Sequence, residues 1–211
     1  MSRTRIKICG LTREADVDEA IDAGADALGF VLYPKSPRAL TLQRAAELIQ
    51  RLPPFVTPVL LTVNASPQEL RAAAEELPQA LLQFHGDETP EQCAAAGRPF
   101  LRAARMAEDF DLLDFAARFS NAMALLLDAP VEGYGGGGKV FDWSRIPPSV
   151  PLPVVLSGGL SPANVTDGVL HVRPFAVDVS SGVEASKGIK SGPLMRRFCK
   201  AVRDADARLG S

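Results

Sequence analysis

Two polar residues stand at the ends of apolar runs and could exchange protons with a substrate. Cys9 closes the run RIKIC and Asp128 closes the run AMALLLD. A thiol and a carboxyl group can serve as the general acid and general base of a proton-transfer reaction. Because an ordinary thiol titrates near ~8.5 and an ordinary carboxyl group near ~3.9, residue type alone favours Asp128 as the base and Cys9 as the acid. An inert buried thiol and a structural carboxylate are the alternatives.

Two loops rich in glycine and serine are suited to binding phosphate. SGGLSPANV (157–165) and DVSSGVE (178–184) follow the last two apolar runs of the chain. Small residues let the backbone approach an anion closely, so that N–H groups and a helix N-terminus can face it. Either loop alone could be an ordinary turn, but the two together predict a phosphate site. The small residues of both loops are therefore its candidate ligands.

A third glycine-rich segment, GYGGGGK (133–139), matches two nucleotide-binding motifs in the spacing of its glycines, but the residues on either side of it do not fit either motif. A dinucleotide fingerprint needs a strand that leads directly into the glycines, whereas APVE intervenes here. A Walker A loop needs Ser or Thr after its lysine, and Val140 stands there. We therefore expect no nucleotide cofactor, and predict a glycine hinge in a loop that closes over the substrate and excludes water. A surface loop without function is the alternative.

The elements that would position these residues form a repeating pattern of strands and helices. The predicted strands are the apolar runs 5–9, 27–33, 57–63, 80–85, 100–105, 122–128, 153–158 and 175–180. Capped amphipathic segments between them predict helices, among them 13–24, 42–52, 66–77, 89–97 and a last helix over 192–209. This alternation predicts a parallel sheet. Eight units in 211 residues favour one (β/α)8 TIM barrel over 1–211, with an open doubly wound sheet as the alternative.

Composition and charge exclude several classes of partner. The chain has a formal net charge of −2, which gives no electrostatic reason to expect nucleic acid. No apolar run is long enough to cross a membrane, and no apolar segment near the start suggests a signal peptide. Three cysteines in no metal-like spacing predict a reducing, cytoplasmic location and no metal site. Oligomeric state stays open between a monomer and a homodimer.

Several motifs together resemble the phosphoribosylanthranilate isomerases. In chain order they are KICGLT (7–12), GFVLYPKSPR (29–38), QFHGDE (83–88), LLLD (125–128), GYGGGGKVFDW (133–143), LSGGLSPANV (156–165) and RPFAVDVSSGVE (173–184). The resemblance implies a small (β/α)8 barrel that uses no metal or cofactor. It also implies the Amadori rearrangement of N-(5′-phosphoribosyl)anthranilate to 1-(2-carboxyphenylamino)-1-deoxyribulose 5-phosphate in tryptophan biosynthesis. The sequence departs from the family at Ala39, where an aromatic residue is common, and in LLTVN (60–64).

The resemblance also implies a role for each site residue. It makes Cys9 the general base and Asp128 the general acid, the reverse of what residue type favours. Helix N-termini or an arginine near Cys9 would then have to lower the pKa of its thiol. Arg38 would hold the anthranilate carboxylate, and Asp178 the ribose hydroxyls. The backbone groups of Gly158, Gly159, Ser180, Ser181 and Gly182 would hold the phosphate. His85 also ends a predicted strand, but the sequence shows no partner carboxylate for it, so we expect it to lie outside the catalytic pair.

Two other functions are compatible with the phosphate loops. Related phosphosugar barrels share these loops, but histidine-pathway isomerases are expected to carry Asp where Cys9 stands. Indoleglycerol-phosphate synthases are expected to carry paired Lys and Glu on their strands, and these are absent. A non-catalytic phosphosugar-binding module is the alternative from another class, and the presence of both Cys9 and Asp128 at strand ends argues against it.

Overall fold

Eight parallel strands close into a single barrel in the computed structural model, which describes residues 3–130 and 140–210. Each strand pairs with the next along the chain, and the eighth pairs with the first. The strands are β1 (Arg5–Cys9), β2 (Ala27–Val31), β3 (Thr57–Thr62), β4 (Leu81–Phe84), β5 (Phe100–Arg105), β6 (Ala124–Asp128), β7 (Val154–Leu156) and β8 (Ala176–Val179). The predicted (β/α)8 barrel is confirmed, and the open sheet is excluded. The predicted covering loop GYGGGGK lies outside the described residues.

Helices cover the outside of the barrel. They are α1 (Glu14–Ala23), α2 (Leu42–Ile49), α3 (Pro67–Glu76), α4 (Pro90–Ala95), α5 (Leu112–Arg118), α6 (Val165–Val172) and α7 (Gly192–Gly210). Helix α3 shows why the sequence pattern was informative: Ser66 and Glu69 form a reciprocal capping box, and Pro67 occupies the first turn. None of the helices in the described part of the chain is long and apolar enough to cross a membrane.

A short hairpin follows the last barrel strand at the mouth of the barrel. Its strands are β9 (Glu184–Ser186) and β10 (Ile189–Lys190), which pair in antiparallel fashion. A single 3₁₀ turn, Ser181–Val183, joins β8 to this hairpin. The hairpin therefore continues directly from one of the two predicted phosphate loops.

Side chains along each strand point alternately into the barrel interior and outwards against the helices. Ile6 and Ile8 of β1 belong to the large cluster packed against the helices, so Lys7 and Cys9 face the barrel interior. Lower in the interior lies a small apolar cluster made of Val59, Leu101, Ala103, Ala124, Leu126, Val155 and Ala176. On β6, Leu126 faces the interior, so Asp128, two residues further at the mouth, faces the interior as well. The apolar interior thus changes to a polar one where the strands end, as expected for the catalytic end of this fold.

Candidate active site

Asp128 and His85 form a buried pair at the mouth of the barrel. The His85 Nε2 lies 3.1 Å from Asp128 Oδ2, and Gln83 Nε2 lies 3.0 Å from His85 Nδ1. Since an amide nitrogen can only donate, Nδ1 accepts in this arrangement and the Nε2–H of His85 donates to the carboxylate. The second oxygen of Asp128 accepts from the backbone N–H of Ala129 at 2.9 Å. The expectation that His85 lacks a carboxylate partner is therefore wrong.

Cys9 lies on the same inward-facing side of β1 as a buried lysine. Cys9 is 4% exposed, and burial raises the pKa of its thiol above the ordinary value. The positive charges of Lys7 and Lys190 act in the opposite direction but do not outweigh burial. The expectation of a lowered thiol pKa is thus wrong for the protein without ligand, because desolvation penalises the thiolate more than the two cations stabilise it.

Asp178 joins β8 to β1 through a buried ion pair. Its Oδ1 accepts from Lys7 Nζ at 2.6 Å, and its Oδ2 accepts from Ser157 Oγ at 3.1 Å. Burial opposes the charge on Lys7, but the carboxylate of Asp178 and the thiolate form of Cys9 hold the pKa of the ammonium above its ordinary value. The sequence analysis did not assign a role to Lys7, in the middle of β1, or to Ser157, directly after β7, although both face the barrel interior.

Arg38 is engaged by a glutamate from the β9–β10 hairpin. Its Nε and Nη2 donate to the two oxygens of Glu184 at 2.6 and 2.8 Å, a bidentate arrangement. Lys190 Nζ donates to Glu184 Oε1 at 2.9 Å. Burial opposes the charge on Glu184, but Arg38 and Lys190 hold the pKa of its carboxyl group below the ordinary value. Neither Glu184 nor Lys190 was identified from the sequence, and the binding of a substrate carboxylate by Arg38 stays a prediction.

The two predicted phosphate loops lie against each other beside Asp128. A Cβ atom added to Gly182 would lie 1.9 Å from the carbonyl oxygen of Leu160, and one added to Gly158 would lie 2.3 Å from the backbone nitrogen of Ala129. Gly158 has φ of +76°, a left-handed conformation that favours glycine. Within residues 3–130 and 140–210, no backbone acceptor takes up the N–H groups of Gly159, Ser181 or Gly182. These groups are therefore available to an anion.

The site thus combines groups that could transfer protons with groups that could bind anions. Cys9 and Asp128 lie at the ends of β1 and β6, and the cations Lys7, Arg38 and Lys190 lie around the same mouth. No group of three or more His, Cys, Asp or Glu side chains in the described part of the chain is placed to hold a metal ion. Fold and candidate site together define a (β/α)8-barrel enzyme whose mouth carries candidate acid–base groups and two loops with backbone N–H groups that lack a described backbone acceptor.

Comparison with known proteins identifies the family. The family model described as N-(5'phosphoribosyl)anthranilate (PRA) isomerase matches residues 6–201. The N-(5'-phosphoribosyl)anthranilate isomerase of Leptothrix cholodnii is 70% identical over 207 residues, which cover 98% of this chain and 94% of the relative. The chain belongs to the phosphoribosylanthranilate isomerase family.

Solved structures of this family share the barrel. The phosphoribosyl anthranilate isomerase of Thermotoga maritima has a TM-score of 0.88 at 39% identity, covering 95% of this chain and 99% of that one. A structure of the isomerase in complex with reduced 1-(o-carboxyphenylamino)-1-deoxyribulose 5-phosphate has a TM-score of 0.83 at 36% identity, with coverage of 95% and 99%. Monomers generated from the dimeric Thermotoga maritima enzyme match with a TM-score of 0.83 at 35% identity and the same coverage.

Proposed function

We infer that the protein isomerises N-(5′-phosphoribosyl)anthranilate to 1-(2-carboxyphenylamino)-1-deoxyribulose 5-phosphate in tryptophan biosynthesis. The observation that carries this inference is the location of Cys9 and Asp128 at strand ends of the same barrel mouth, in a chain that belongs to the isomerase family. A related enzyme of the family is known in complex with a reduced form of that ribulose phosphate. The reaction is an aldose–ketose isomerisation that needs one general acid and one general base.

Each proton transfer can be assigned to one of these two residues. Asp128 donates a proton to the ring oxygen of the ribose, the bond from C1′ to that oxygen breaks, and the anilino nitrogen forms an iminium with C1′. Cys9, as the thiolate, then removes the proton from C2′. The resulting enolamine tautomerises to the ketone. No step transfers electrons to or from a cofactor.

The surroundings of both groups support these roles. After Asp128 has given up its proton, the Nε2–H of His85 at 3.1 Å stabilises the carboxylate that forms. Lys7 and Lys190 favour the thiolate form of Cys9, although burial keeps the group protonated without ligand. The thiolate is needed only after ring opening, when the positive charge of the iminium adds to those of Lys7 and Lys190 in favouring it.

The remaining predicted residues would bind the two ends of the substrate. The phosphate would lie on the backbone of Gly158, Gly159, Ser180, Ser181 and Gly182. Support comes from the N–H groups in these loops that have no described backbone acceptor. Each carboxylate oxygen of Asp178 accepts one hydrogen bond, from Lys7 or from Ser157, and its remaining lone pairs would accept hydrogen bonds from the ribose hydroxyls. The anthranilate carboxylate would lie against Arg38.

A fluorescence assay tests the function directly. Loss of the fluorescence of phosphoribosylanthranilate should follow enzyme concentration and saturate with substrate, with the ribulose phosphate as the product. Unchanged fluorescence without saturable binding would instead favour one of the related barrels, which act on other phosphosugars. Saturable binding of the substrate with no turnover would favour the binding module and would contradict the proposal.

We also propose that the protein forms a homodimer through the N-terminal end of the barrel. Phe55 before β3 is fully exposed and holds a left-handed φ of +74°, which costs roughly 1 kcal/mol for a residue other than glycine. Phe175 borders a cavity of about 590 Å³ at the same end of the barrel. A protruding ring and an apolar cavity on one face are self-complementary under twofold symmetry. The Thermotoga maritima enzyme is described as dimeric.

Sedimentation velocity tests this assembly. The wild-type protein should sediment as a dimer, and Phe55→Asp should sediment as a monomer with an unchanged far-ultraviolet spectrum. A wild-type monomer at micromolar concentration would contradict the proposal. We further propose a cytoplasmic location, because all three cysteines are free and buried, as expected in a reducing compartment.

A further inference from the structure

The pairing of Arg38 with Glu184 leaves one edge of the guanidinium unused. A guanidinium has one edge formed by Nε and one Nη, and a second edge formed by the two Nη atoms. Glu184 takes the first edge through Nε and Nη2. Among residues 3–130 and 140–210, no hydrogen-bond acceptor is found for Nη1. The second edge is therefore available to another carboxylate.

We propose that Glu184 is a positioning residue that aims this second edge of Arg38 at the carboxylate of the substrate, and that Lys190 balances the charge of Glu184. The inference rests on the proposed function and extends it to residues that contact the substrate only through Arg38. It makes the β9–β10 hairpin a determinant of specificity for N-aryl substrates that carry a carboxylate.

The side chain of Arg38 is fixed along its length as well as at its end. A Cβ atom added to Gly10 would lie 2.3 Å from Arg38 Cδ, so the stem of the arginine crosses the site directly over this glycine. The side chains of Arg38 and Glu184 are only 10% and 6% exposed. A guanidinium held in this way loses little further side-chain freedom when a ligand binds, which is the advantage of pre-organisation.

Charge explains why the pair is accompanied by a lysine. Arg38 and Glu184 alone are neutral together and would attract a substrate carboxylate weakly. Lys190, whose side chain is fully buried, donates to Glu184 Oε1 at 2.9 Å and returns a net charge of +1 to the group. Because its side chain is fully buried, Lys190 supplies charge without offering the substrate a competing contact.

The same lysine connects the carboxylate end of the site to the phosphate end. Lys190 Nζ donates to the carbonyl oxygen of Ser180 at 3.1 Å and to its hydroxyl at 3.3 Å. Ser180 belongs to one of the two predicted phosphate loops. The hairpin therefore contacts both Arg38 and the phosphate loop, and these contacts would set the spacing between the two anionic ends of a bound substrate.

A comparison of two substrates separates positioning from a general structural effect. The substrates are N-(5′-phosphoribosyl)anthranilate and the carboxyl-free N-(5′-phosphoribosyl)aniline. Glu184→Gln removes the charge and leaves one acceptor oxygen for Arg38. We expect kcat/KM for the anthranilate substrate to fall about ten- to a hundredfold, mainly through KM, because small misplacements of a binding group have effects of this size. For the aniline substrate we expect a change below about threefold.

Three further variants make the result interpretable. Arg38→Met should lose the same selectivity between the two substrates, and Glu184→Asp should recover part of it. Glu47→Gln, which removes the carboxylate of an exposed pair with Arg44, should leave both substrates unaffected. Thermal unfolding of each variant checks that it is folded.

Equal losses on both substrates in Glu184→Gln would overturn the proposal, since they would indicate a structural role only. Improved activity on the anthranilate substrate would also overturn it, because Glu184 would then compete with the substrate for Arg38. These outcomes leave the isomerase activity of the wild-type protein intact. Absence of wild-type turnover would instead contradict the proposed function itself.

Discussion

Removing the charge of Lys7 should destabilise the protein far more than removing the charge of a surface lysine with the same ion-pair distance. Lys7 and Asp178 are 2.6 Å apart, with side chains 5% and 7% exposed. Lys200 and Asp204 are also 2.6 Å apart, but their side chains are 74% and 51% exposed. The two pairs have the same charged groups and differ in burial, so Lys200→Met is a matched control for Lys7→Met.

The expected magnitudes follow from desolvation. Removing one partner of a buried pair leaves an uncompensated charge and costs roughly 3–5 kcal/mol. Asp178 would keep the hydrogen bond from Ser157 at 3.1 Å, so we expect Lys7→Met to lie near the lower end, about 3 kcal/mol. Exposed pairs contribute about 0–1 kcal/mol, and Lys200→Met should fall within that range.

Urea unfolding followed by circular dichroism measures these free energies. Lys7→Met combined with Asp178→Asn removes both charges and should cost about 2 kcal/mol less than the sum of the two single variants. Equal costs for Lys7→Met and Lys200→Met would refute the assignment of Lys7 as a buried, paired ammonium. Additive single and double variants would refute the coupling between Lys7 and Asp178.

Two further predictions concern the phosphate loops and the buried thiols. Gly158→Ala places a Cβ 2.3 Å from the backbone of Ala129 at φ of +76° and should raise KM at least about tenfold, a misplacement effect, in steady-state assays. Gly97→Ala, at φ of +61° with nothing within 4 Å of the added Cβ, should leave KM unchanged. An equal rise of KM in Gly97→Ala would contradict a phosphate site at Gly158. Burial raises the pKa of Cys199 above its ordinary value to about 11, so its contribution to stability is complete below about pH 8.5 and is lost as pH rises towards 11. The free energy of unfolding should therefore fall over this range by up to about 3 kcal/mol more in the wild type than in Cys199→Ala, and parallel curves would contradict this.

The barrel could be predicted because its strands carry a strong local signal. Strands buried on both faces read as continuous apolar runs, and all eight predicted runs contain a strand. Helix α6 was harder, because it contains Gly168, a residue that disfavours helices. A Cβ at Gly168 would lie 3.2 Å from the ring of Trp143 and 3.0 Å from Leu156. Close packing of α6 against these two side chains therefore explains why a glycine stands in the helix.

The principal residues of the candidate site could be predicted from their positions at strand ends, but the residues that pair with the site residues could not be predicted from the sequence. Cys9 and Asp128 each close an apolar run, which can be read locally. The pairs Arg38–Glu184 and Lys7–Asp178 join residues 146 and 171 positions apart. Closing the barrel brings β8 beside β1 and the hairpin over the mouth, and no local pattern in the sequence encodes those contacts. The covering loop GYGGGGK stays a prediction.

The most direct test of the central claim is the turnover of Cys9→Ala and Asp128→Asn on N-(5′-phosphoribosyl)anthranilate. Each variant should lower kcat by about 10²–10⁴-fold, the contribution typical of a positioned acid or base, while KM changes little. Turnover near that of the wild type in either variant would contradict the account, because the reaction would then proceed without the thiol or the carboxyl group at the ends of β1 and β6.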